Sequence, residues 1–300
     1  MEQLKIMYEI NNCPICNSQK INSFLNCIDY TVSRETFNIV KCTSCEFKFT
    51  NPIPELTKLG NYYKSDEYIS HSNTNKGFVN SCYQIVRKYT LIKKLKLISK
   101  FYKTGSILDI GCGTGEFLNT CKLAKWNVLG IEPDQDARRM AQNNFSIDVR
   151  PEEELRNLKD ESFDVITMWH VLEHVPNLKE RVKELKRLIK PKGIIIIAVP
   201  NCSSLDAKIY KEYWAAYDVP RHLYHFTPKD IELLMRGFDM KVDSILPMVF
   251  DSFYVSLLSE KYKKGKVNII RSMWNGFRSN LNAIKTGKEF SSQIYLITKK

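Results

Sequence analysis

The chemistry this chain could do is concentrated in four cysteines, one glycine-rich turn and two short histidine segments. Cys13-Pro-Ile-Cys16 and Cys42-Thr-Ser-Cys45 are two C-x2-C pairs separated by residues 17–41. Each pair can turn as a tight knuckle that presents two thiolates, and two knuckles make a closed tetrahedral site suited to zinc. Iron in the same cage, or a redox pair, is the alternative. Four protein ligands leave no open position, so the expected ion is structural. Some forty residues make a poor core without it. The remaining cysteines, Cys27, Cys82, Cys112, Cys121 and Cys202, are scattered and read as small buried residues.

Ile107-Leu108-Asp109-Ile110-Gly111-Cys112-Gly113-Thr114-Gly115-Glu116 reads as a strand running through a glycine turn into a helix. Glycine accepts positive φ and lets a ligand press against bare backbone, with helix-start N–H groups facing it. The spacing G-x-G-x-G is one residue shorter than the dinucleotide fingerprint, which has to cradle a pyrophosphate. After the next apolar run, 127–131, stands Glu132, whose carboxylate can accept hydrogen bonds from both hydroxyls of a ribose. That combination argues against a bare turn and against an NAD site.

The elements that must hold these residues alternate. Short apolar runs at 106–110, 127–131, 147–149, 164–169 and 194–199 are separated by helix-period segments at 116–124, 134–143 and 177–190. Alternation of this kind implies βαβ units and a parallel sheet whose strand ends line one ligand-binding edge. A helix near 228–236, strands near 241–246 and 292–298, and a basic helical insert at about 250–289 complete the pattern. Residues 78–102 carry apolar side chains at helical spacing, and residues 13–45 read as strand-poor. The expected division is a zinc ribbon over 1–60, a linker and basic helix over 61–104, and an α/β domain over 105–300.

The stretches LDIGCGTGEFL, GIEPD at 130–134 and FDVITMWHVLEHVPN at 163–177 resemble the motifs of class I S-adenosylmethionine-dependent methyltransferases. The likeness covers about residues 100–245, and SSQIYLITKK is similar to that family's last strand. It implies a Rossmann-like α/β fold with a seven-stranded sheet. By resemblance, Asp109, Gly111, Gly113 and Gly115 hold the methionine end of S-adenosylmethionine and Glu132 holds its ribose. His170 is expected beside the cofactor, and Glu152 or Glu153 near the adenine. The stretch from Trp214 to His222, with its D-x-P-R-H, is similar to bacterial methyltransferases that carry a cysteine-rich N-terminus.

His170-Val-Leu-Glu173-His174 also fits the zinc-protease pattern H-x-x-E-H, which needs a helix to place both rings on one face. Here it follows a strand directly, which argues against a protease. The loop from Trp214 to Phe226 carries His222 and His225 among aromatic side chains, and is where an acceptor should sit. Methyl transfer is an in-line displacement, so positioning supplies much of the acceleration. A hydroxyl acceptor must also lose a proton, and histidine suits that task. His222 is the expected base, with His225 or His174 next.

A net charge of +12 permits nucleic acid, an acidic membrane surface or a phosphate-bearing small acceptor. A small-molecule, sugar or lipid-linked glycan acceptor is the favoured partner. An RNA acceptor held through the ribbon is the rival, and a non-catalytic binding protein on the same fold is a third reading. Against RNA, the fourth strand ends in Met168-Trp169-His170 and lacks the signatures of base methylases. Basic residues of the insert, including Lys261, Lys263 and Arg278, suit a phosphate, but a solvated face explains them equally. With no charged-then-apolar start and no long apolar run, a cytoplasmic protein without a transmembrane segment is expected.

Overall fold

The computed structural model describes residues 7–63, 89–287 and 289–300. The first part of the expected helix over 78–102, and Cys82, lie outside these residues; 89–98 is helical.

The N-terminal part holds β1 (Met7–Tyr8), β2 (Ile21–Ile28), β3 (Thr36–Cys42), β4 (Lys48–Thr50) and β5 (Ile53–Pro54), followed by the short α1 (Leu56–Leu59). The strand-poor expectation for 13–45 is therefore overturned: β2 and β3 form an antiparallel ladder from Ile21↔Cys42 to Ile28↔Thr36. Their Asn, Ser and Thr lie largely on exposed positions of β2, while Phe37, Ile39 and Val40 of β3 are buried, as a sheet solvated on one face requires.

After α2 (89–98) the chain alternates β6 (Ser106–Ile110), α3 (Glu116–Leu123), β7 (Asn127–Ile131), α4 (Gln135–Phe145), β8 (Val149–Arg150), β9 (Phe163–Trp169), α5 (Leu178–Leu188) and β10 (Ile189–Pro200). Then come α6 (Leu205–Tyr210), β11 (Tyr224–His225), α7 (Pro228–Arg236), β12 (Met240–Pro247), α8 (Asp251–Lys264), α9 (Ile269–Thr286) and β13 (Ser292–Lys299). Among the described residues, seven strands make one sheet in the order β12-β13-β10-β9-β6-β7-β8. β8, β7, β6, β9 and β10 run parallel, and β13 lies antiparallel between β10 and β12. The end of β10 is buried without interruption from Gly193 to Pro200, because helices cover both faces of its neighbourhood. Helix starts follow local chemistry. Asp134 accepts the Ala137 N–H ahead of α4, and Thr227 with Asp230 forms a capping box ahead of Pro228 in α7.

The cysteine-rich part does not stand apart. β4 pairs with β11, so the smaller sheet runs β11-β4-β3-β2 and takes its edge strand from the late part of the chain. One apolar cluster includes Cys13, Phe47 and Phe49 together with Met168, Ile195 and Phe226. A buried ion cluster joins the two parts. Arg221 donates from Nη2 to Asp29 Oδ1 at 2.9 Å and from Nε to Asp218 Oδ2 at 2.9 Å, while Nη1 reaches the Tyr62 carbonyl at 2.9 Å. Asp29 also accepts the Thr31, Val32 and Ser33 N–H groups. Burial opposes ionisation of both aspartates, but these hydrogen bonds and Arg221 hold both carboxyls below the usual range.

Removing one member of such a group strands the others in a dry site, which costs about 3–5 kcal/mol. Arg221→Ala should lower the unfolding free energy by about that amount in urea titration. The depressed aspartates contribute stability above their unfolded pKa of about 4, and that contribution is lost as pH falls through the folded values. The wild type should therefore lose stability on acidification, and Arg221→Ala should lose less. A variant as stable as wild type at neutral pH would contradict the assignment.

Candidate cofactor and acceptor site

The glycine turn crosses the carboxyl end of β6. Gly111 and Cys112 donate their N–H groups to the Ile131 carbonyl at 2.7 and 3.1 Å, which ties the turn to β7. Gly111, Gly113 and Gly115 have φ of 71°, 55° and 83°, the left-handed region that favours glycine. A Cβ on Gly111 would lie 2.4 Å from Val171 Cγ2, and one on Gly115 would lie 2.9 Å from Ala141 Cβ, so these two are packing requirements. A Cβ on Gly113 would meet nothing within 4 Å. That glycine borders open space, as a backbone approached by a ligand does.

Glu132 stands beside Gly113, buried just past the end of β7. Its Oε2 accepts the Gly113 N–H at 2.8 Å and its Oε1 accepts the Asp134 N–H at 3.0 Å. Burial raises its pKa despite these bonds. Asp109 is buried, accepts the Thr167 hydroxyl at 2.6 Å, and is pushed up to about 7 by desolvation. Trp169 closes the end of β9, with its ring 5.7 Å from that of Phe117 and under the Lys94 ammonium at 4.2 Å. The stacking of Lys94 on Trp169 was not foreseen, because the helix around it reads as a merely basic surface. Of the two glutamates expected near the adenine, Glu152 is ion-paired to Arg181, and Glu153 is exposed.

Three of the four clustered histidines come together just beyond β9. His170, at φ 57°, places Nε2 3.2 Å from Asp251 Oδ2 and Nδ1 3.4 Å from Glu173 Oε1. Burial disfavours the imidazolium, but the two carboxylates outweigh it and hold His170 up to about 10. His170 is thus a cation at neutral pH and the partner of the fully buried Glu173. The Leu172–His174 segment is a single 3-10 turn, not the α-helix that H-x-x-E-H zinc chemistry needs. Asp251, at the start of α8, carried no sequence signal: it lies far along the chain in a segment read only as basic and helical.

His174 Nδ1 lies 3.0 Å from the Arg221 carbonyl and 2.9 Å from the Tyr63 hydroxyl. Burial, and then the neighbouring His222, push it down to about 4, so it is neutral. The His174 and His222 rings meet edge to face at 4.6 Å. His222 Nδ1 is 2.8 Å from the Ala216 carbonyl. A carbonyl only accepts, so Nδ1 carries a proton, and Nε2 lies 4.0 Å from Asp218 Oδ2. Glu173, His174 and His222 each bring a ligand-type atom within 4.8 Å of the others. His225 is placed differently. Its Nε2 is 3.1 Å from Thr50 Oγ1, whose own proton goes to the His222 carbonyl at 2.7 Å, and burial drives its pKa well down. It belongs to the seam between β4 and β11.

The four cysteines converge as their spacing predicts. Cys13 Sγ and Cys45 Sγ are 3.5 Å apart, Cys16 Sγ and Cys42 Sγ are 3.6 Å apart, and all four sulfurs lie within 4.8 Å of one another. Tetrahedral Zn–S bonds of about 2.3 Å would put sulfurs about 3.8 Å apart. The cage therefore fits the ion.

Comparison with known proteins shows the family and the fold. A family described as methyltransferase domain matches residues 83–245. The chain belongs to that family and is a class I S-adenosylmethionine-dependent methyltransferase. Among curated relatives, a ubiquinone biosynthesis O-methyltransferase of Rickettsia bellii is 29% identical over 202 residues, 62% of this chain and 83% of that one. An uncharacterized protein of Methanocaldococcus jannaschii is 35% identical over 117 residues, 38% of this chain and 45% of that one. Among solved structures, magnesium protoporphyrin IX methyltransferase of Synechocystis, with bound S-adenosylhomocysteine, superposes with a TM-score of 0.54 at 13% identity. That match covers 82% of this chain and all of the other, and at such identity it shows the fold alone.

If the open space over Gly113 takes the cofactor, filling it should abolish binding. Glu132→Ala should weaken S-adenosylmethionine by about 1.5–3 kcal/mol, roughly 10- to 150-fold, by removing charged hydrogen-bond acceptors. Gly113→Arg should eliminate binding in calorimetric titration. Unaltered affinity in both would place the cofactor elsewhere.

Proposed function

We propose that the protein transfers the methyl group of S-adenosylmethionine to a hydroxyl oxygen of a small-molecule acceptor. The observation that carries this reading is the His174–His222 pair beyond β9, in which His174 is held neutral by burial and His222 directs its Nδ1–H to the Ala216 carbonyl, beside the carboxylates of Glu173 and Asp218. Similarity to O-methyltransferases of ubiquinone biosynthesis supports oxygen as the methylated atom. Asp109, the three loop glycines and Glu132 hold the cofactor, whose electrophilic methyl is the chemistry it supplies when bound. His170, as a cation paired to Asp251, fixes the segment after β9 and is not the base.

The base in this reading is His222. Its Nδ1–H is committed to the Ala216 carbonyl, so Nε2 is the nitrogen free to take the acceptor's proton. The imidazolium so formed faces Asp218, 4.0 Å from Nε2. His174 stays neutral at its side and gives the ring a packed wall. His225 holds the seam. A sugar or lipid-linked acceptor is compatible with this site, and the enzyme works in the cytoplasm, where reduced thiols persist. Cys13, Cys16, Cys42 and Cys45 bind one structural zinc that stabilises β2–β4 and, through Asp29, the Arg221 cluster.

His222→Ala should reduce turnover about 10²- to 10⁴-fold while leaving S-adenosylmethionine affinity within about twofold. The assay follows labelled methyl into a small-molecule fraction and, separately, into RNA. Label appearing only in RNA, or unchanged turnover in the variant, would overturn this reading. The zinc assignment predicts one zinc per chain, released by a thiol-modifying reagent with a fall in melting temperature. Metal-free protein that melts at the same temperature would contradict it.

A further inference from the structure

Helix α9 buries the side that a water-soluble hairpin would expose. Ile270, Trp274, Phe277, Leu281 and Ile284 recur at alternating spacings of four and three, so they line one face. All five are exposed, Ile270 at 85% and Ile284 at 66%. The buried residues of α9 are Ser272, Asn275, Gly276, Ser279 and Ala283, which fall on the opposite face. They pack on α8, whose own buried residues include Ser252, Ser256 and Ser259. At Gly276 the two helices come so close that a Cβ would stand 2.8 Å from the Phe253 ring and 3.0 Å from its Cα.

The small polar face is anchored to the rest of the protein. Ser279 donates to Asp206 at 2.6 Å, Asn275 donates to the Tyr210 hydroxyl at 2.9 Å, and Ser259 accepts the Ala215 N–H at 2.9 Å. The hairpin is therefore fixed in this orientation. In water, apolar side chains belong between helices. Small residues between helices, with large apolar ones outward, suit hydrocarbon surroundings.

The charge of the hairpin selects the kind of surface. From Lys261 to Gly287 every charged side chain is Lys or Arg. Lys264 and Lys266 stand exposed at the turn, and Arg278 and Lys285 flank the apolar stripe. A second copy on the same stripe would bring these like charges together. An anionic bilayer would take the apolar side chains below its headgroups and the basic ones among them. No helix among the described residues is long and apolar enough to cross a membrane, so the helix would lie in the plane.

We propose that the exposed stripe of α9, with its flanking Lys and Arg, seats the protein on the surface of an anionic lipid bilayer. Asp251, at the first turn of α8, holds His170 at 3.2 Å, so the hairpin borders the acceptor side of the site. Resting on the small-molecule reading above, an acceptor with an apolar tail would be met at the surface in which it is dissolved.

The test is co-sedimentation of the full-length, zinc-loaded protein with vesicles of phosphatidylcholine alone or with 30% (about one lipid in three) phosphatidylglycerol. Binding is expected only to the anionic vesicles, weakening as salt rises. Ile270→Asp with Phe277→Asp should reduce it at least about tenfold, since the burial of two large apolar side chains is lost. The same variant should keep wild-type affinity for S-adenosylmethionine, because it touches neither Glu132 nor the glycine turn. No sedimentation with anionic vesicles at low salt, or equal sedimentation of the variant, would overturn the proposal. So would a concentration-dependent dimer in light scattering that the variant abolishes, which would give the stripe to a second copy. Retained cofactor binding with lost lipid binding separates this failure from failure of the methyltransfer reading.

Discussion

Arg221 is the residue around which the chain's two parts are organised. Its guanidinium is almost wholly out of water and divides its donors between Asp29, Asp218 and the Tyr62 carbonyl. A lone buried guanidinium would be prohibitively costly, so the acceptors must be delivered to it from elements far apart in sequence. Asp29 comes from the turn after β2, itself pinned by three backbone N–H groups. Asp218 comes from the loop that also carries His222. The two cysteine pairs flank the first of these segments in sequence, and the loop from Trp214 to Phe226 is the second. The four-cysteine cluster and the histidine-bearing loop are therefore tied together through one buried ion cluster.

Electrostatics beyond β9 follow a similar logic. The segment from His170 to His174 places a cation, a buried carboxylate and a neutral imidazole within five consecutive residues. Asp251 and Glu173 raise His170 to about 10, whereas burial and His222 lower His174 to about 4. The same side-chain type is thus shifted in opposite directions: His170 is hydrogen-bonded to two carboxylates that outweigh its burial, whereas for His174 burial and the adjoining His222 outweigh Glu173 and Asp218. A strand end leading into a 3-10 turn brings both rings near His222, whose tautomer is set by one backbone carbonyl.

Much of this was legible in the sequence, for definite reasons. The alternation of apolar runs and helical segments, the G-x-G-x-G turn and Glu132 are local patterns, and strands and helices appeared close to them, although β10 starts at Ile189, five residues before the expected run at 194–199. The C-x2-C pairs converge because a knuckle is a local structure and a hairpin brings two together. Long-range pairing was not legible. Nothing local says that β11 completes the N-terminal sheet, or that Asp29 meets Arg221. The polar texture of 13–45 hid two strands whose exposed faces carry Asn, Ser and Thr. The insert at about 250–289 read only as basic and helical; its apolar stripe, and the fact that the small-residue face is the buried one, came from the structure.

The proposed position of S-adenosylmethionine is over Gly113, with its reactive end toward the histidine cluster. A crystal structure with S-adenosylhomocysteine would reveal that position. Ribose hydroxyls are expected on Glu132, the amino-acid end along Gly111 to Gly113 near Asp109, and the sulfur turned toward His170 and His222. A ligand bound elsewhere, or a sulfur facing away from His222, would contradict it.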